Sequence, residues 1–405
     1  MLNLNNISGR AVARINIGSI VISTSPGTGT YVSGTYLRDA DGWSIYHHVL
    51  KFIGENDYDT AMVNLSTNRR ITFQSGTDAG GSVTWSPAQT QVLISYKATA
   101  DNTSITGTGF TVIVTTSDLL YTGAIWWRTR SWRGTADKIV ALVGTSLGLT
   151  PKVQMASMTD LTLLQCYEPC LDFMRRVINL YLFGQGANDV TVAAHADTLM
   201  VGSAGWGQWP RYQVNYPGIG VANLEHLDHE HDLRFPGCRT VTGLQYNPLT
   251  GEMKNVKVST DTAVTRLGAF DPPGDPDAIF TMGRHSLPIS TSGITNFWSR
   301  AYAEANLNQL GVALTVTGPD YLLAGSLILI NTAIVNDPFA GLYQVSQVYT
   351  ELAGGEAKSR LTMRRGNFNA AQVTASGVSP EAEASNQSPT ATPGNVVKSV
   401  SPNGR

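Results

Sequence analysis

Residues 318–365 constrain the fold of this chain more than any other stretch. Three apolar runs are set apart there by turn residues, which predicts a strand, a loop and then a hairpin. Residues 326–335 are rich in Leu, Ile and Val. Asn336-Asp337-Pro338 ends that run, because proline has no N–H for a ladder and Asn and Asp favour turns. Residues 342–352 predict a second strand. Ala353-Gly354-Gly355-Glu356 supplies the glycines that a tight hairpin needs for positive φ. In the third strand, residues 359–365, Leu361 and Met363 point to one side, and Arg360, Thr362 and Arg364 to the other. One face is built for a core and the other for water or a wet channel.

Upstream, residues 1–122 also read as β. Apolar runs at 11–22, 60–73, 83–96 and 110–116 alternate with glycine-rich turns at 26–29, 76–81 and 107–109. Short strands at this spacing predict a barrel or a sandwich. Residues 43–53 predict a short helix, since Trp43, Tyr46, His47 and Leu50 fall on one side of it. Residues 126–133, Trp-Trp-Arg-Thr-Arg-Ser-Trp-Arg, interleave aromatic and basic side chains. Such a run suits stacking on bases or sugars, but a strand with core tryptophans accounts for it more simply.

A helix is predicted over 135–147, with Thr135 as its cap, an apolar stripe through Ile139, Val140, Val143 and Leu147, and Gly148 as its stop. A strand follows at 160–167, a helix at 169–181 opened by Pro169, and two short strands within 189–201. Further strands are expected at 240–246 and 254–259, and a helix at 294–310. From residue 371 onward Ser, Pro, Thr, Ala, Asn and Gly dominate, a composition that predicts a disordered tail.

The third-strand sequence Ser-Arg-Leu-Thr-Met-Arg-Arg, the Gly341-x-Tyr-x-Val-x-x-Val348 strand and the apolar entry at 318–325 resemble the last tube domain of baseplate hub proteins of contractile-tail bacteriophages. The hub-like part of type VI secretion spike proteins is related to these. The middle of the chain resembles the family's small α/β module at 136–149 (Ala-x-x-Ile-Val…Leu-Gly-Leu), 161–165, 172–183 (x-x-Phe-Met-Arg-Arg) and 198–202 (ending Leu-x-Val-Gly). The similarity covers about 130–260 and 295–366. Residues 1–125 match only in β character and position, and the loops at 205–220 and 270–277 have no counterpart.

The resemblance implies an α+β, β-rich chain in which two tube-type β-barrel domains flank a small α/β module. Its parts would be a first β-domain at 1–125, the module at 126–204, a β-rich connector at 205–293, a linking helix and second tube-type domain at 294–370, and the tail at 371–405. It further implies a homotrimer whose six β-units join a six-fold tail tube protein to a three-fold central spike protein, contact other baseplate proteins and let DNA pass. Arg360, Thr362 and Arg364 are then candidates for the lumen. Val378, Pro380, Val396 and Val397 are candidate partner contacts on the tail. The location implied is the virion tail baseplate, after assembly in the host cytoplasm.

Composition fits a chain that buries surface against neighbours. Charged residues are 14% of the 405, against about 25% in ordinary globular domains. A net charge of −2 gives no global basic footprint for nucleic acid. No apolar run reaches the length of a spanning helix, and the first residues carry no signal-peptide pattern.

Gly144-Thr-Ser146-Leu-Gly148 matches a nucleophile elbow, but a helix end explains it better. His226, His229 and His231 lack metalloprotease spacing. Histidines two apart on a strand could ligate a metal, yet a solvated connector is the simpler reading. Cys166 and Cys170 read as buried thiols, and with Cys238 they are too few for a disulfide framework. The Asp271–Asp277 loop offers carboxylates without calcium-loop spacing. No catalytic residue, metal site or cofactor is expected. The alternative function is a β-rich carbohydrate- or receptor-binding tail protein, with Trp126, Trp127, Trp206 and Trp209 as stacking platforms.

Overall fold

The computed structural model describes residues 2–4, 9–25, 29–101, 109–154, 160–178, 181, 190–203, 206–216, 224–231, 240–246, 253–259, 279–286, 310–318, 322–332 and 340–365. The chain begins with β1 (Leu2–Asn3), β2 (Arg10–Ile17), β3 (Ile20–Ser23), β4 (Thr30–Asp39) and β5 (Ile45–Phe52). Helix α1 (Glu55–Thr67) follows, then β6 (Arg70–Asp78), β7 (Val83–Trp85), β8 (Gln89–Asp101) and β9 (Gly109–Ser117).

Seven of these strands form a closed barrel in the order β4-β3-β2-β6-β8-β9-β5, with β5 pairing back onto β4. Closure leaves no free edge along most of its wall. The inward residues alternate as a pleated strand requires: Ala11, Ala13, Ile15 and Ile17 on β2, and Tyr46, His48, Leu50 and Phe52 on β5, are buried. The helix expected at 43–53 is therefore a strand. Its period-two burial decides the matter, and the helical spacing of Trp43, Tyr46 and Leu50 is coincidental. The strand expected from residue 60 is helix α1 as far as Thr67, and the β-run starts at Arg70. Only Ala61 and Leu65 of α1 are buried, so its apolar stripe is too thin to read.

A polar network lies inside this barrel. Tyr31 donates its hydroxyl to His48 Nδ1 at 2.8 Å, and His48 Nε2 donates to Gln91 Oε1 at 2.9 Å. Thr116 Oγ1 donates to the same Gln91 oxygen at 2.6 Å, and the Tyr31 and Tyr36 hydroxyls meet at 2.7 Å. These roles fix a neutral imidazole with its proton on Nε2. Burial lowers the His48 pKa to about 4, because the interior penalises the charged ring.

The middle of the chain runs α2 (Leu119–Ile125), β10 (Trp127–Gly134), α3 (Ala136–Ser146), β11 (Thr150–Val153), β12 (Leu161–Pro169), α4 (Cys170–Val177), β13 (Val190–His195) and β14 (Thr198–Ser203). Here β10 and β12 form an antiparallel ribbon, and β11-β14-β13 a small sheet. Ile139, Val140 and Val143 of α3 pack with Phe173, Met174 and Val177 of α4 against Leu199 and Val201. The sequence order helix, strand, helix, hairpin is met. Thr135 occupies the cap position but its side chain makes no cap bond, and its buried Oγ1 has no partner. Gly148 ends α3 at φ +91°, in the left-handed region.

The last third supplies β15 (Arg211–Tyr216), β16 (Leu224–His231), β17 (Thr240–Tyr246), β18 (Met253–Ser259), β19 (Ile279–Ser286), β20 (Leu310–Gly318), β21 (Leu327–Thr332), β22 (Gly341–Ala353) and β23 (Glu356–Arg365). Seven strands make the second β-unit, in the order β1-β15-β21-β22-β23-β20-β16. It encloses Tyr212, Val214, Leu314, Ile328, Tyr343, Leu361 and Met363. Strands β17, β18 and β19 form a separate sheet. The hairpin expected at 353–356 is present, with Gly354 at φ +62° and Gly355 at φ +89°. Strand β15 lies inside the 205–220 segment that sequence alone left as a loop; it pairs in parallel with β21. The helix expected at 294–310 lies outside the described residues except for Leu310, which begins β20. The 271–277 loop and the tail from 371 also lie outside them.

Candidate assembly surface at the junction of the two β-units

The two β-units are one continuous sheet. Strand β22 leaves β21 after Gln344 and pairs with β4 from Gln347↔Asp39 to Ala353↔Ser33. It fills the barrel's weak seam, where β3 and β4 share only the Ser23↔Thr30 pair. The hairpin tip closes that seam: Ala11 N donates to Gly355 O at 2.7 Å, and Leu352 and Ala357 are buried in the core of the first barrel. A Cβ on Gly355 would strike the Arg10 side chain. Arg38, buried on β4, donates to Leu322 O at 3.3 Å, and its guanidinium lies over the Tyr36 ring at 5.2 Å.

The α/β module locks the same joint. Asp41 adopts φ +63°, which Asp tolerates better than most residues. Its N–H donates to Val192 O at 2.7 Å, and its Oδ1 accepts from Val192 N at 2.9 Å. Its Oδ2 accepts from Arg364 Nη2 at 3.1 Å. Arg364 also reaches Gln344 Oε1 at 3.4 Å, and buried Gln344 donates to Thr191 Oγ1 at 2.9 Å. His195 Nε2 donates to Ala324 O at 2.7 Å, and burial lowers its pKa to about 4. Asp197 accepts from Thr90 N at 2.7 Å and Thr90 Oγ1 at 2.6 Å, joining the module to β8. Asp39, beside this cluster, has its pKa raised by burial and then by the Asp41 carboxylate.

Of the three residues expected on the wet face of β23, Arg360 and Thr362 are exposed, while Arg364 is tied into the joint through Asp41. Leu361 and Met363 are buried, as their alternation requires. Asp41, Gln344, His195 and Asp197 carry no local pattern that marks them. Val378, Pro380, Val396 and Val397 lie outside the described residues. His226, His229 and His231 lie on β16, whose backbone pairs with β20. Among the described residues, no group of three or more His, Cys, Asp or Glu is placed to hold a metal ion. Ser146 ends helix α3 with its Oγ donating to Val143 O at 2.7 Å, so no strand–turn–helix elbow exists there. Cys170 is buried, but Cys166 is exposed. The tryptophans of 126–133 are not all core: Trp132 is buried, whereas Trp126 and Trp127 are exposed. Trp209 is buried with Trp206 against it, which removes that pair as an open platform. No helix of the described residues is long and apolar enough to cross a membrane.

The fold is similar to that of solved tail proteins. The tail protein from Neisseria meningitidis MC58 superposes with a TM-score of 0.58 at 12% identity, covering 88% of this chain and 97% of that one. The 43 kDa tail protein of prophage MuSo2 from Shewanella oneidensis gives 0.56 at 10% identity, covering 88% and 98%. No family model matches the sequence, and no curated protein matches it.

Proposed function

We propose that this chain is a structural protein of a phage-type tail, the trimeric hub of its baseplate. The observation that carries this reading is the β4–β22 joint, which fixes two seven-stranded β-units of one chain edge to edge. Three such chains present six β-units. A ring of that kind matches a six-fold tail tube on one side and a three-fold central spike on the other. The near-complete coverage of both tail proteins supports the same role. Arg360 and Thr362 would face the lumen, where passing DNA makes transient contacts. The segment with Val378, Pro380, Val396 and Val397 would reach the spike or another baseplate protein. The protein would act in the virion tail, after assembly in the host cytoplasm.

Light scattering and negative-stain imaging test this. The expected result is a ring of three 43.4 kDa chains with a central opening, alone or with tube and spike proteins added. A particle that stays monomeric with both partners overturns the reading. Glycan binding by such a monomer would favour the receptor-binding alternative.

A further inference from the structure

The β10–β12 ribbon presents an apolar and basic surface that the described residues leave uncovered. Trp127 is 66% exposed and Tyr167 75%, with Leu164, Ile125 and Trp126 also exposed. Among the described residues, β10 and β12 pair only with each other. The ladder slips between Arg128 and Arg130, and Tyr167 sits at φ +46°. An aromatic side chain held in the left-handed region at a bulge is aimed by its backbone, a device common where strands meet partners. Arg128 lies over Trp126 at 5.1 Å and Arg130 over Trp132 at 4.4 Å. By the alternation of β10, Arg133 shares the outer face with Trp127, while Arg130 lies on the side of buried Trp132; Arg133 has no carboxylate partner among the described residues.

A surface of opposite charge lies on α1. Glu55, Asp59 and Val63 fall four residues apart, in one stripe away from the buried Ala61 and Leu65. All three are exposed, and so is Ile53 just before the helix. Like charges four apart oppose helix formation, and α1 has no basic residue in its last turn. Glu55 lies in the first turn, where the helix N-terminus favours a carboxylate, but Asp59 lies beyond it, and among the described residues neither acid is ion-paired.

The two surfaces lie at opposite ends of β9. Phe110, at its start, stacks on Tyr58 of α1 with ring centroids 4.0 Å apart; its last residue, Ser117, leads into α2 and β10. Nine residues of strand span about 30 Å, so the surfaces are far apart within one chain. We infer that the Trp-Arg ribbon of one copy docks on the α1 stripe of the next copy. The inference rests on the trimer proposed above and names its contact. Aromatic and arginine side chains are enriched in such interfaces, and two different surfaces meeting head to tail build a ring when the rotation closes.

The exposed native thiol of Cys166 is a probe already on the ribbon. Asp59→Cys, Glu55→Cys and Val63→Cys are introduced singly into the full chain and mildly oxidised. The expected result is disulfide-linked species that stop at three chains and vanish when Cys166→Ser is added. Independently, Arg133→Glu should weaken association at least tenfold, and adding Asp59→Arg should restore it. A wild-type trimer that yields no Cys166-dependent link at any of the three positions overturns the docking and leaves the trimer standing. A ladder running past three chains overturns ring closure by this contact. A wild type that stays monomeric with tube and spike proteins overturns the trimer and the docking together.

Discussion

His48 concentrates the chemistry of the first barrel at a single residue. Its ring is neutral in the fold, with a pKa of about 4 against 6.5 when unfolded. Between these values the unfolded chain binds the proton and the folded chain does not, so stability falls as pH drops from 6.5 towards 4. The full loss is about 3 kcal/mol. Buried Asp118, raised to about 6 mainly by burial, acts in the opposite sense: its fold-state proton favours stability at the acid end and is lost as pH rises from 3.8 through 6. Urea unfolding at pH 7, 6 and 5 should show net acid weakening. His48→Leu should cost about 2 kcal/mol at pH 7 by stranding Tyr31 and Gln91, and should remove the His48 part of the slope. An unchanged slope would discount the histidine. Asp41→Ala, which removes the carboxylate that accepts from Val192 N and Arg364 Nη2, should cost about 1–3 kcal/mol in the same measurement, with Asp41→Asn losing less. Neither residue stands out in the sequence. Arg364 was visible there as a polar position on β23, but its partner, 323 residues away, was not.

At the scale of elements, legibility followed burial pattern. Strand β23 and its glycine turn were plain because buried Leu361 and Met363 alternate with exposed Arg360 and Thr362. Strand β5 was misread because its buried series includes His48, a residue no apolar template counts. Helix α1 was misread because only Ala61 and Leu65 of it are buried, too thin a stripe to show a helical period. The β22–β23 hairpin was correctly placed, yet nothing local told that its tip belongs to the other barrel. Leu352→Ala should therefore destabilise the first barrel by about 2–5 kcal/mol, read as lost protection of β2 and β6 amides in hydrogen exchange. Protection lost only in β20–β23 would show that the tip does not hold the seam. Gly355→Val, strained at φ +89° and driven against Arg10, should expose the same strands.

Across the whole molecule, one sheet runs through both β-units, with the module pinned to each by Asp41, Asp197 and Gln344. Heat should accordingly unfold the two β-units in one transition, and calorimetry showing two well-separated peaks would contradict that coupling. The joint also sets an order in time. Asp39 and its ladder partner Gln347 are made far apart in sequence, and at about 5–20 residues per second the ribosome needs roughly 15–60 s to go from one to the other. The barrel synthesised first is thus the last to be sealed. A prematurely terminated chain ends with that seam gaping and its apolar lining open to chaperones and proteases, so only a chain translated through its final hairpin can furnish a finished building block.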